Sequence, residues 1–511
     1  MKPRLQTLAF ALGLGAAGLA GCTVGPDFHR PDAAAPRHWT AAGRDADPAR
    51  SRIAAGALDP QWWNAFHDDV LTSLIRRVTV SNLDVRTATA RLLQARAARR
   101  IAGADTLPAL DGTASYLHAR SSQRGLVDIS GLNGQADYNV WQPGFDASWE
   151  IDLWGRVRRQ TESADAAVDA SEDARRDMLV SVLAETARDY VQLRGVQAQQ
   201  AILRDNLDIA QHSQRLTQVR FADGVATQLD VAEATAQVKA IEAQAPLLDH
   251  QLTRLVNALG YLLDAPPRAL DDELRRAAPI PAVPPEVPVG LPSELAERRP
   301  DIRRAEARLH AATADIGVAR GSFYPRITLS ANLALQATHV GDLGSWDARM
   351  FGIGPALSVP IFEGGRLKGM LALRSAQQQE ALLDFRRTVL SAWHEIDNAM
   401  DDYAARQSNS VRLGEVVDQD RIALEQARRR YVTGAADFLN VLTAQQALLK
   451  TRQAHVDSTT EVSLALIGLF KALGGGWERT FPAAATPPPH GGDARSRQSA
   501  APARIARADM R

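Results

Sequence analysis

Two patterns near the start of the chain and on its helices have the spacing of chemistry. Gly13-Leu14-Gly15-Ala16-Ala17-Gly18 spells the G-x-G-x-x-G of a pyrophosphate-binding turn, and Glu242 and Asp249 lie seven positions apart on one helical pattern. The glycine fingerprint needs a strand before it; here only Met1 to Leu12 precede it. The two carboxylates read as a solvated helix face rather than an acid–base pair. The 11 histidines lack metal-ligand spacing, and the 6 methionines form no copper-binding stripe. No zinc-protease, phosphate-loop or nucleophile-elbow motif occurs. The sequence therefore predicts no enzyme, no cofactor and no metal. One reactive group remains: Cys22, the single cysteine, whose thiol has no partner for an internal disulfide.

The residues around Cys22 explain it. Lys2 and Arg4 supply a positive start, and Leu8 to Leu19 an apolar run too short to span a bilayer. The run closes on Leu19-Ala20-Gly21-Cys22, with small residues just before the cysteine. This resembles the lipobox of bacterial lipoproteins. The resemblance implies a signal peptide over 1–21 and a mature chain starting at Cys22, carrying S-diacylglycerol and an N-acyl group. Thr23 rather than Asp follows, which in such proteins permits sorting to the outer membrane. The blander reading is an ordinary signal peptide with a chance cysteine.

The rest of the chain reads as two copies of one unit. Arg220, Phe221, Gly224, Leu229 and Val231 recur 210 positions later as Arg430, Tyr431, Gly434, Leu439 and Val441. Arg91-Leu92, Pro108 and Tyr116 recur as Arg308-Leu309, Pro325 and Leu333. An internal repeat constrains architecture before any motif is read. From Asp59-Pro60 a helical pattern runs through Trp62-Trp63, Phe66, Leu71, Leu74-Ile75 and Leu92-Leu93 to about Ala104. Four segments then alternate with period two: Leu110 to His118, Phe145 to Leu153, Ile327 to Gln336 and Phe351 to Ile361. One face of the third is Ile327, Leu329, Ala331, Leu333 and Leu335; the other is Thr328, Ser330, Asn332, Ala334 and Gln336. Such strands, flanked by Trp141, Trp149 and Trp154, suit a membrane barrel with lipid outside and water inside. A half-buried soluble sheet is the alternative.

Each strand pair leads into a long stretch free of proline, Gly155 to about Ala222 in the first copy, which predicts roughly 100 Å of helix. Gly224 and Gly434 break each stretch, so each copy becomes a helical hairpin with its tip at the glycine. The expected organisation is 1–21 signal peptide, 22–58 lipidated tether, 59–263 first repeat, 264–292 Pro-rich connector, 293–475 second repeat and 476–511 disordered tail. Four strands are too few to close a barrel, which needs about eight, and an open edge facing lipid leaves backbone groups unpaired at several kcal/mol each. Several chains must then share one barrel. The charge balance, 59 basic against 59 acidic residues, argues against a nucleic-acid partner.

These residues together resemble the outer-membrane efflux channels of the TolC/OprM type, in their NodT-like lipoprotein branch. The matching stretches are Trp62-Trp63 with Phe66, Phe145 to Arg156, Leu291 to Ile302, Phe323-Tyr324-Pro325 and Pro360 to Arg366, with the two glycine tips. The resemblance implies an α+β membrane protein: a homotrimer with a 12-stranded barrel, four strands per chain, above a periplasmic helical tunnel. It implies outer-membrane lipid, a periplasmic adaptor and an inner-membrane RND-type pump as partners, and export of drugs or other toxic compounds as function. A type I protein secretion channel or a structural envelope lipoprotein are the alternatives. It also implies adaptor contacts at Gly224, Val225, Gly434 and Ala435. The periplasmic gate falls on Asp230, Tyr431, Leu439, Asn440 and Thr443, with Asp230 and Tyr431 as acid and donor of a link worth roughly 1.5–3 kcal/mol; the blander reading of Asp230 is a cap or surface acid near a helix start. The chain departs from the family pattern at Ala436, where an arginine is expected, and at Asn440 and Thr443, where relatives often carry Asp. The implied gate is neutral.

Overall fold

A computed structural model describes residues 23–32, 51–54, 56–122, 137–290 and 298–481. Cys22, the signal peptide, part of the tether, residues 291–297 and the tail from 482 lie outside the described residues. The elements in chain order are β1 (Arg52–Ala54), α1 (Asp69–Ser81), α2 (Leu83–Ala104), β2 (Ala109–Arg120), β3 (Asp137–Ile151) and α3 (Arg156–Ala222). They continue with α4 (Gln228–Glu242), α5 (Ala245–Leu262), α6 (Asp271–Leu274), β4 (Glu286–Pro288) and α7 (Pro300–Gly321). Last come β5 (Arg326–Leu335), β6 (Arg349–Ser358), α8 (Arg366–Val432) and α9 (Phe438–Ala472).

Strands β2, β3, β5 and β6 form one antiparallel sheet in that order. The helices beneath follow the same order, α2 on α3, α3 on α7 and α7 on α8, because each strand is joined to its helix by a short turn. The long helices α3 and α8 have 67 residues each, about 100 Å at 1.5 Å per residue. Both start after a glycine in the left-handed region, Gly155 (φ 79°) and Gly365 (φ 87°). At Gly155 there is also no room for a side chain, since a Cβ would sit 2.6 Å from Thr23 Cγ2.

The first expected helix is three pieces. Trp62–Phe66 is a single 3₁₀ turn, and α1 and α2 are separated at Asn82. Side-chain caps make these breaks: Asp68 Oδ1 accepts from Leu71 N at 2.9 Å, and Asn82 Oδ1 from Asp84 N and Val85 N at 2.9 and 3.1 Å. The expected helix after Gly224 is likewise two, α4 and α5. Pro246 has no N–H and its ring crowds the carbonyl four residues back; just before it, Gln244 N bonds Ile241 O, a tighter 3₁₀ contact. Glu242 and Asp249 thus lie on different helices, each ion-paired, to Lys239 at 2.8 Å and Arg275 at 3.1 Å.

The main core lies midway along the long helices. Trp62, Phe66, Leu71, Leu74, Ile75 and Val78 pack there against Leu183, Tyr190, Leu193, Met400, Leu466 and Phe470. Tyr190 Oη donates to Asp68 Oδ2 at 2.7 Å; burial and that carboxylate push the phenol pKa up. The connector is part of this belt, for β4 pairs in parallel with β1 and Leu274 and Val287 are fully buried. The chain stays in the fold beyond 475: Trp477 is 4% exposed, its Nε1 donates to Arg298 O and Gly474 O, and Arg176 and Arg303 lie over its ring. Residues 476–481 therefore belong to the packed structure, a correction to the expected tail. The tether is also anchored in part. Val24 N donates to Trp154 O, Asp27 pairs with Arg159, Phe28 stacks on His310 at 4.5 Å, and Arg30 pairs with Glu306.

Candidate functional site: a two-faced sheet and two helical tips

Directly paired residues share a face of an antiparallel sheet, so the register sorts the side chains. One face carries Phe145, Leu333 and Phe351 in one row, Trp149, Leu329 and Pro355 in another, and Ile151, Ile327 and Leu357 in a third. Phe351, Ile353 and Leu357 are 82%, 76% and 66% exposed, a contiguous apolar surface of the kind that marks a contact with lipid or protein. The other face carries Asp111, Asp146 and Asn332 in one row and Ser148 and Ser330 in the next, with Gly352 and Gly354 at the end of those rows. Thr113 Oγ1 donates to Asp146 Oδ2 at 3.0 Å across it. On the apolar face the rings of Tyr116 and Trp141 meet at 4.4 Å, tilted by 42°, near one end, and Trp149 donates to Thr106 O at the other. Trp141 and Trp149 are eight residues apart, about 27 Å along a strand and about 21 Å in height at the usual barrel tilt, near the ~25 Å apolar band of outer-membrane barrels. No described helix is long and apolar enough to cross a membrane.

The strands differ from the expected ones mainly in β3. It starts at Asp137, eight residues before Phe145, because Pro143 and Gly144 hide the alternation from a pattern search.

The two tips share one backbone design. In the first, Gly224 N bonds Phe221 O and Val225 N bonds Arg220 O; in the second, Gly434 N bonds Tyr431 O and Ala435 N bonds Arg430 O. This is the Schellman stop, with the left-handed position filled by glycine, φ 75° at Gly224 and 77° at Gly434. Each glycine has open space where a Cβ would stand, and Val225 is 64% exposed. Both tips end in the solvent.

Each following helix then starts on a cap at the equivalent place. Thr227 Oγ1 accepts from Asp230 N at 3.2 Å while Asp230 Oδ2 accepts from Thr227 N at 2.7 Å, a reciprocal capping box. In the second tip Asp437 caps α9, and Asn440 Nδ2 donates to it. Asp230 is thus occupied by its own helix start, and among the described residues no hydrogen bond joins it to Tyr431. The link expected between them does not form within one chain. Tyr431 is buried, its ring set edge-on to Phe438 at 5.6 Å with Arg220 over it at 4.6 Å. Its hydroxyl is buried without a partner among the described residues, as is Nη2 of Arg428 three residues earlier. Burial alone holds the Arg428 guanidinium below its ordinary pKa. Sequence reading missed Arg428, since a third arginine in Arg428-Arg429-Arg430 gives no signal of its own. Leu439, Asn440 and Thr443 share one exposed face of α9, Leu439 being 54% exposed. Thr443 Oγ1 bonds back to Leu439 O. Among the described residues no cluster of His, Cys, Asp and Glu could hold a metal ion.

The sequence model of the family described as outer membrane efflux protein matches residues 74–264 and 291–475. The pyoverdine export outer membrane protein OpmQ of Pseudomonas aeruginosa is 35% identical over 459 residues, covering 87% of this chain and 92% of its own. The outer membrane protein OprJ of the same organism is 32% identical over 483 residues, covering 93% and 96%. The solved structure of the outer-membrane channel OprN superposes with a TM-score of 0.84 at 35% identity, over 89% of this chain and 100% of that one. With a lipid-suited sheet, long helices and relatives matched nearly end to end, this chain belongs to the outer membrane efflux protein family, an efflux channel of the outer membrane and not an enzyme.

Proposed function

We propose that three copies of this chain form a 12-stranded barrel over a helical tunnel, and that this trimer is the exit duct of a tripartite pump for small toxic compounds. The observation that carries the reading is the pair of open edges. Strands β2 and β6 end the sheet, and α2 and α8 end the helical row on the same two sides. Unpaired strand edges cannot face lipid, so the β2/α2 side of one copy meets the β6/α8 side of the next. Three chains of four strands give twelve, and the inward face is then the polar one. A periplasmic adaptor and an inner-membrane RND-type pump complete the path, the adaptor seating on the tips at Gly224, Val225, Gly434 and Ala435. The two tandem repeats supply matching hairpins for this ring.

Lipid on Cys22 fits the same frame. Thr23 sits against Gly155, and Val24 N bonds Trp154 O, so the residue next to Cys22 lies at the strand-to-helix junction, close to Trp149 and Trp154 in sequence. Acyl chains there enter the inner leaflet at about 0.8 kcal/mol per buried methylene. Expression of the chain with its own adaptor and pump in a strain lacking its outer-membrane channels should restore drug resistance, and Cys22→Ser should lower it through reduced assembly. No gain of resistance by the native chain would sink the efflux duct reading.

The gate lies at Leu439, Asn440 and Thr443, with Tyr431 and Asp230 near it. The Tyr431 hydroxyl is closed off within its own chain, so it takes an acceptor from a neighbouring hairpin only when the tip repacks as the ring closes. Tyr431→Phe should then raise single-channel conductance in planar bilayers several-fold, while leaving the fold unchanged because no bond within the chain is lost. Unchanged conductance would mean that the hydroxyl has no gating role.

A further inference from the structure

At the helix-distal end of the sheet the loop between β5 and β6 sorts its charges by side. Asp342 and Asp347 line a cleft of about 640 Å³ with Tyr138, Val140 and Gln336. Val140 and Gln336 lie on the polar face, Gln336 Nε2 donating to Gln142 Oε1 at 3.1 Å. Asp342 is further engaged by His339 at 3.8 Å. Arg349 belongs to the opposite face. It pairs with Leu335 in register, in line with Leu333 and Phe351 and then Ile353. Its guanidinium lies 4.0 Å over the ring of Trp346, which is 77% exposed. The other arginine at this rim of the apolar face, Arg120, is neutralised by Asp137 at 3.1 Å. Among the described residues no carboxylate pairs with Arg349. Its backbone is fixed by Arg349 N to Trp346 O at 3.2 Å, and Ala348 N bonds Ser345 Oγ at 3.2 Å.

An unpaired cation and an exposed indole, held together directly above an apolar band, fit one kind of partner. Tryptophan favours the headgroup level of a bilayer, a guanidinium binds phosphate bidentately, and the band below takes acyl chains. We propose that Trp346 and Arg349 bind the phosphate of an outer-leaflet lipid, the arginine contacting the phosphate and the indole lying along the headgroup. The acids of the same loop stand on the lumen side and so do not repel it. The proposal rests on the outer-membrane orientation above, in which the loops opposite the helices face outward.

The test is native mass spectrometry of the full-length protein in detergent, titrated with diphosphorylated lipid A, with its dephosphorylated form, and with inorganic phosphate as competitor. The native protein should retain the phosphorylated lipid, and Arg349→Gln and Trp346→Ala should each lower its occupancy about tenfold, with Arg349→Lys intermediate. Conductance in planar bilayers should stay at the native level in all three variants, which separates this site from the channel itself. Equal retention of the dephosphorylated lipid would overturn the phosphate contact and leave only an apolar surface. Displacement by millimolar inorganic phosphate would make it a free-phosphate site. Unchanged occupancy in both Arg349→Gln and Trp346→Ala would remove these residues from lipid binding altogether.

Discussion

Replacing Arg299 with Ala is expected to destabilise the helical part by about 3–5 kcal/mol, the cost of leaving buried charges without their partner. The residue is 8% exposed and its side chain joins three segments. Its Nη1 donates to Ala472 O at 2.6 Å, closing the C-terminal end of α9, and its Nε and Nη2 hold Asp301 at 3.0 and 2.7 Å. Nη2 also reaches Glu395 on α8 at 2.8 Å. Burial opposes the charge, but the bonds to Asp301 and Glu395 outweigh it and the guanidinium pKa is raised. Glu395 is partly exposed, so water offsets some of its loss and the lower part of the range is expected. Against a total folding free energy of about 5–15 kcal/mol, such a loss should appear as a clear drop in the guanidinium-chloride midpoint. A loss below about 1 kcal/mol would show that the contact is dispensable.

At the proposed gate, placing Asp at both 440 and 443 should create a block by multivalent cations. Asn440 and Thr443 are exposed and three residues apart on α9, so their side chains are neighbours on one helix face. In a trimer the double substitution sets six carboxylates around one constriction, where like charges close together bind a multivalent cation to relieve their repulsion. The expected readout is block of single-channel current by divalent and trivalent cations at concentrations that leave the native channel open. Block of the native channel by micromolar trivalent cations would instead show an acidic ring elsewhere and contradict the neutral gate.

Much of the fold was legible because period and punctuation survive in the sequence. The alternation in Ile327 to Gln336 predicts the strand and its lipid side, since a one-residue slip would turn every leucine inward. Gly224 and Gly434 predict the tips because few other residues accept the left-handed position a Schellman stop needs. The breaks at Asn82 and Ala243 were not legible, for apolar periodicity continues across both and only a cap or a proline tips the balance. Asp230 shows the limit at the site. A carboxylate three residues after a threonine fits a capping box as well as a link between hairpins, and the local bond forms within the chain. The unpaired Arg428 and Tyr431 hydroxyl follow from burial, which depends on how four helices meet.

As proposed, the sheet of this chain closes only with two further copies. Native mass spectrometry of the full-length mature protein, extracted from membranes in mild detergent, measures this directly. The expected result is a single species of three chains that dissociates only on heating, with β-sheet signal in circular dichroism lost as it does. A stable monomer that keeps its β-sheet signal in detergent would contradict it.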